Sequence, residues 1–273
     1  MRHLKRGLHL TLNAIKQHKS LFILMVILQL ILLFSVTYIS INYQIKIINN
    51  AQQIMEPLQS ANFNVTSIQA GQPFTTEILE VYQGYKSMIK YIWQLIFWLS
   101  SLFILFNGAL WIISQRMLGY KNWKGQILKF LTTSIILIVP FFLAAYYLLK
   151  LFLGMELAAE IFSIILQVVI WAFFVLYFFI ITAYAFIDAK SWKEFVKSIY
   201  KVGIRRIYFT LIVTLINLVL IFLGLLLIYY TANEETLLPL MVLAALLFVV
   251  VILLTRIFWI ACLKEINSEK NIP

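Results

Sequence analysis

LFILMVILQLILLFSVTYISINY, residues 21–43, decides the fold. It holds no charge, and at 1.5 Å per residue it rises about 35 Å, more than the roughly 30 Å hydrocarbon core of a bilayer. Lipid offers no partner to open backbone groups, and the run lacks the alternation of a barrel strand, so it reads as a spanning α-helix. The basic stretch MRHLKRGLHLTLNAIKQHKS precedes it, as in a signal peptide. The apolar run is too long for an h-region, however, and no small-x-small cleavage site follows. It reads as a retained first span.

Five further runs have the same character: Ile89–Ile113, Phe130–Leu149, Ile161–Ile187, Tyr208–Tyr230 and Leu237–Leu263. The sequence therefore predicts an all-α, six-transmembrane-helix integral membrane bundle, one membrane domain over residues 1–273. Composition agrees, with 63% hydrophobic and 12% charged residues against about 25% charged in soluble domains. A single cysteine, Cys262, excludes an internal disulfide and a multi-cysteine metal site. The net charge of +11 lies beside the spans, which points to anionic headgroups and away from nucleic acid.

The charges also orient the chain. Residues 2–19, 116–129, 190–206 and 256–270 hold 18 of the 22 Lys and Arg. The opposite side has Lys46, Lys86, Lys90 and Lys150, offset by acids such as Glu56, Glu77, Glu80, Glu234 and Glu235. The positive-inside rule places both termini in the cytoplasm of a cell bounded by this plasma membrane. The extracytoplasmic loop 44–88 is the one long loop. Ile41, Ile45, Ile48 and Met55 keep a helical spacing, so helix 1 is expected to project beyond the membrane before Pro57, and Thr76–Lys90 to extend helix 2. Leu58–Phe74 reads as a polar turn region, and Asn64-Val65-Thr66 matches a glycosylation sequon. Gln29-Leu30 and Asn217-Leu218 hint at an internal repeat, each followed by a Phe (Phe34, Phe222).

Amphipathic elbows mark the cytoplasmic side. Ser191-Trp192-Lys193-Glu194 is a capping box. It opens a helix over residues 191–203 with Trp192, Phe195, Val196, Ile199 and Tyr200 on one face, and Gly203 is expected to end it. Trp192 at the acyl boundary, with Lys193, Lys197, Lys201, Arg205 and Arg206 toward phosphates, suits contact with anionic lipid or a partner. Residues 1–20 form a second elbow, with Leu4, Leu8, Leu12 and Ile15 opposite Arg2, Lys5, Arg6, His9 and Lys16. A third, shorter one lies around Tyr120, Trp123, Ile127 and Leu128. Phe186-Ile187-Asp188, the Ser191–Ser198 stretch and Arg205-Arg206 leading into an apolar helix resemble a segment of polytopic prokaryotic membrane-protein families. One is the membrane domain found beside glycerophosphodiester phosphodiesterases. The resemblance spans about forty residues. It implies a membrane-embedded helical fold and carries over no catalytic residue, because this sequence has no phosphodiesterase domain.

Ionisable side chains inside spans are functional candidates, and here Arg256 is the exception, since no Asp, Glu, Lys or His lies in the middle of any of the six spans. It can either snorkel about 12 Å toward the level of Lys264 or meet a polar partner within the bundle. Gln29, Gln94, Asn107, Gln167, Asn217 and Arg256 could together line an intramembrane polar path or act as packing glue. Pro140 should kink the third span. His3, His9 and His18 have no metal-site spacing, and HExxH, GxSxG and GxxxxGK[ST] are all missing. The sequence thus predicts no catalytic residues, no metal and no cofactor. The expected function is a non-catalytic membrane component that binds lipid, a partner protein or a second copy. The alternative is an uncoupled transporter or permease for a lipid-like or apolar solute.

Overall fold

A computed structural model describes residues 2–60, 76–120, 123–154, 159–232 and 238–268. The elements in order are α1 (Arg2–Gln17), α2 (Lys19–Ser60), α3 (Thr76–Leu102), a π-helical turn (Phe103–Asn107), α4 (Gly108–Met117), α5 (Trp123–Gly154), α6 (Ala159–Tyr184), α7 (Trp192–Tyr200), a second π-helical turn (Lys201–Arg205), α8 (Ile207–Ala232) and α9 (Leu238–Ser268). Among the described residues there is no strand. Six helices are long and apolar enough to cross a membrane: Lys19–Glu56, Glu80–Met117, Lys124–Leu148, Ser163–Tyr184, Ile207–Thr231 and Pro239–Ser268. The all-helical, six-span reading of the sequence therefore holds. The loop core 61–75 with its Asn64 sequon, and the acids Glu156, Glu234 and Glu235, lie outside the described residues.

The chain divides into two compact units, residues 31–105 and residues 1–30 with 106–273. In the smaller unit α2 continues through Pro57 to Ser60, three residues past the proline that was expected to stop it. α3 begins at Thr76. The two helices run antiparallel there. Tyr43 packs on Tyr91 with ring centroids 6.3 Å apart, Lys46 lies over both rings, and Gly84 is buried beside the Asn50 carbonyl and Ile54.

The larger unit has its core in α4, the end of α6 and the second half of α9, where Leu110, Tyr184, Phe186, Leu253, Ile257, Ile260 and Leu263 are buried. α4 can approach α5 because Gly108 lacks a Cβ: one there would sit 2.8 Å from the Phe130 ring. Pro140 lies inside the continuous α5. α1 is not laid flat on its leucines. Gly7, Thr11 and Ala14 are its buried face, and a Cβ on Gly7 would come within 3.3 Å of the Cys262 backbone. Arg6 pairs with Glu265 at 3.7 Å, while Leu12 shares an apolar groove of about 400 Å³ with Ile216, Leu220 and Leu254. The helix therefore runs lengthwise along α9, antiparallel to it. Small residues allow that approach, and Leu8 and Leu12 stay exposed. The first turn of α1 and the last turns of α9 share one end of this unit.

Candidate functional site

The polar residues of the larger unit converge where α6 stops. A helix end leaves carbonyls without N–H partners, and unpaired groups in or near lipid cost several kcal/mol each. Turn amides cover some of them: Ala185 N–H donates to Thr182, Phe186 N–H to Ala183 and Ala189 N–H to Phe186. Side chains from three other helices cover five more. The Trp259 indole on α9 donates to the Ile181 carbonyl at 3.1 Å. Gln115 on α4 donates to Tyr184 at 3.2 Å and Ala185 at 2.9 Å. Lys129 on α5, itself buried, donates to the Ala189 carbonyl and reaches Ile187 at 3.5 Å. Cations at a helix C-terminus also face the negative end of its dipole.

Beside this knot, Lys264 on α9 forms an ion pair with Asp188, the two side chains 17% and 11% exposed. Its ammonium also lies 4.3 Å from the Tyr120 ring centroid and 5.2 Å from that of Phe186. Burial, with the charges of Asp188 and Glu265 adding to it, pushes the Tyr120 phenol up to about 12. Tyr184 stacks on Phe130 at 4.6 Å, packs on Trp111 at 5.3 Å and shares a hydrogen bond with Ser134 at 2.9 Å.

Trp111 links this knot to Arg256, whose guanidinium lies 5.5 Å from its ring centroid and donates to Asn107 Oδ1 at 2.9 Å. Arg256 therefore turns into the bundle instead of snorkelling outward. Asn107 ends the first π-helical turn, a feature that re-aims side chains relative to a regular helix. The Arg256 Nη1, Gln115 Oε1 and Gln126 Nε2 atoms are buried without a hydrogen-bond partner in the structure.

The other residues singled out from the sequence are dispersed. Gln29 and Asn217 are both buried, each with its side-chain oxygen unpartnered. Gln167 is exposed and Gln94 half-buried. Of that set, the structure brings Asn107 and Arg256 together.

The capping box at Ser191 is formed, with Glu194 N–H donating to Ser191 Oγ at 3.1 Å and Lys190 N–H to Glu194 Oε2 at 3.0 Å. α7 buries Phe195 and Ser198 and exposes Trp192, Lys193, Val196, Lys197 and Tyr200. Gly203 does not end the helix. It is buried in the second π-helical turn, where a Cβ would lie 3.3 Å from Phe179. Lys201 and Arg206 cap the far end of α9, donating to the Asn267 and Ile266 carbonyls. Burial first, then Arg206 and Lys197, lowers the Lys201 ammonium. Arg205 is exposed. The expected third elbow is no separate helix: α5 begins at Trp123 and runs on without interruption. Among the described residues no group of His, Cys, Asp and Glu could hold a metal ion.

Gln115, Lys129, Trp259, Lys264 and Asp188 were not distinguished by sequence reading. Asp188 stands in a quoted segment, but its partner is 76 residues away. No protein-family profile, curated protein or solved structure matches the chain.

Proposed function

We propose that the protein is a non-catalytic component of a cytoplasmic membrane, with both termini on the cytoplasmic face, and that it binds anionic lipid headgroups at the α7 elbow. The observation that carries this reading is a division of labour among the cations. Lys129, Lys264, Arg206 and Lys201 are engaged by carbonyls or by Asp188 within the fold. Lys193, Lys197 and Arg205 stand exposed on the same short segment, next to the exposed Trp192. Exposed basic residues beside an aromatic at a span end are the chemistry of an anionic interface.

The test is the lipid retained on gentle extraction. Each basic residue near an anionic surface contributes ~1 kcal/mol, so Lys193→Gln/Lys197→Gln/Arg205→Gln should lower retained anionic phospholipid, relative to zwitterionic lipid, by roughly tenfold or more. An unchanged ratio refutes the reading. A co-purifying protein lost in the same variant would make α7 a protein-docking elbow instead.

A second reading, an uncoupled path for a lipid-like solute, is favoured by the apolar groove between α6 and α8, lined by Phe174, Tyr177, Phe178, Leu211, Leu215 and Leu218. Lipid flux in reconstituted vesicles that falls with Asn217→Leu would support it. Flux equal to that of protein-free vesicles removes it.

A further inference from the structure

α2 is too long for the membrane it crosses. Its 42 residues rise about 63 Å, twice the roughly 30 Å hydrocarbon core. From Ser40 onward the sequence turns polar, with Asn42, Gln44, Lys46, Asn49, Asn50, Gln52, Gln53 and Glu56. Within that polar half one apolar stripe persists: Ile41, Ile45, Ile48 and Met55, each 53–55% exposed. The spacing is four, three and seven. With Gln52 filling the remaining place, the five positions alternate as d, a, d, a, d of two heptads. The stripe continues back into the apolar half without a break, as Ile31, Phe34 and Tyr38, all exposed.

Among the described residues, the stripe is not the face used within the chain. The α3 contact is made from Tyr43, Asn50 and Ile54, which fall at f, f and c on the opposite side of the helix. In lipid an exposed isoleucine row needs no explanation. In water it is a surface lacking a partner, and it has the period of a coiled-coil seam.

We propose that the stripe is the seam of a homodimer, in which α2 pairs in parallel with α2 of a second copy from Ile41 to Met55. Three features select a second copy over a lipid or an unrelated helix. Two copies inserted the same way in one bilayer present α2 in parallel and in register without any further constraint. That register sets Gln52 against Gln52, where each amide can donate to the other's oxygen. A lone polar residue at an a position is how two-stranded coiled coils fix register and strand number. The flanking e and g positions, Asn42, Gln44, Asn49 and Ala51, are uncharged and only Glu56 is acidic, so like copies do not repel along the seam. A foreign partner is usually chosen by charges at those positions, and here Glu56 is the only one. This inference does not depend on the lipid reading of α7.

The experiment is a cysteine scan of residues 41–56 in the full-length Cys262→Ala protein, in membranes, with a short bismaleimide. Cross-linked dimer should peak at 41, 45, 48, 52 and 55 and be at least fivefold lower at Lys46→Cys, Asn50→Cys and Gln53→Cys. Uniform yields, peaks at other positions, or a product containing a different chain each overturn the proposal. Native mass spectrometry gives an independent reading. The unmodified chain should appear at twice its 31.9 kDa, and Ile45→Glu/Ile48→Glu should cut the dimer fraction at least tenfold while the helical circular dichroism signal is retained. A dimer that survives this double substitution also overturns it.

Discussion

Lys264→Met tests whether the ion pair beside the α6 exit is a matched set or a pair of independent contacts. Both partners are largely withdrawn from solvent, at 17% and 11% side-chain exposure. Removing the ammonium leaves the Asp188 carboxylate without its cation, and breaking a buried pair from one side costs about 3–5 kcal/mol. The lysine also lies over Tyr120 and Phe186, and a cation–π contact adds about 0.5–2 kcal/mol. Two effects offset part of this: the Met stem keeps the apolar packing, and Lys129 is near enough to feel the same charges. We expect a loss of about 3 kcal/mol. The double variant Lys264→Met/Asp188→Asn removes both charges and should recover at least half of it, because replacing a buried pair by neutral groups is often close to neutral. Reversible unfolding in mixed detergent micelles measures all four corners of the cycle. If the single substitution costs under about 1 kcal/mol, or the double variant is as unstable as the sum of the singles, the pair is not the closed unit described above.

Three further outcomes follow from the same geometry. Gly7→Ala should lose about 1–3 kcal/mol, as overpacking does, with Gly7→Val worse; Cys262→Ala should restore part of the Gly7→Ala loss by removing the nearest atom, and a neutral Gly7→Val would refute the α1 seam. Gln115→Leu strips donors from the Tyr184 and Ala185 carbonyls at about 1–3 kcal/mol for each group left unpaired, less a gain from deleting its own unpartnered Oε1; Gln115→Glu, which lacks the amide donors, should be no better. The Tyr120 phenol should ionise near pH 12, read as the phenolate absorbance lost in Tyr120→Phe. Because the folded value is raised above the usual 10, its contribution is complete below pH 10 and falls as the pH climbs from 10 to 12. Titration near 10 would show Tyr120 to be exposed.

How far the sequence was legible depends on what each feature is made of. The six spans were legible because twenty apolar residues in a row have one physical meaning. The capping box at Ser191 and Glu194 was legible because both halves are local. The packing of α1 was misread, since Leu4, Leu8, Leu12 and Ile15 outweigh Gly7, Thr11 and Ala14 on any hydrophobicity scale. Between helices in lipid it is the small residues that permit contact, and leucine faces the acyl chains equally well. Gly203 was read as a stop from its residue type, whereas its lack of a Cβ serves a close pass by Phe179. Arg256 was recognised as exceptional, but its partner lies 149 residues away on a π-helical turn that no periodicity signals. The α6 exit was invisible for a deeper reason. Its acceptors are backbone carbonyls, present at every position, and only the fold selects which of them need a donor.

Cys262 carries a caution for topology mapping. It is buried against the α1 seam, so its failure to react with an impermeant thiol reagent would say nothing about sidedness. Under the proposed topology, cysteines placed at exposed Lys193 and Gln44 should react from opposite sides of the membrane instead.

The α6 exit also sets a clock on biosynthesis. Its acceptors leave the ribosome well before the donors that complete them, because Trp259 follows the Ile181 carbonyl by 78 residues and Lys264 follows the Asp188 carboxylate by 76. At about 5–20 residues per second, that is an interval of roughly 4–15 seconds in which α4 and α5 can reach the knot but α9 cannot. Through that interval Gln115 and Lys129 are the side-chain donors that hold the exit carbonyls, beside the turn amides of Ala185, Phe186 and Ala189. Insertion of α9 is then the step that closes the structure, and a nascent chain halted after α8 should present residues 181–189 as a recognisable substrate for membrane quality control.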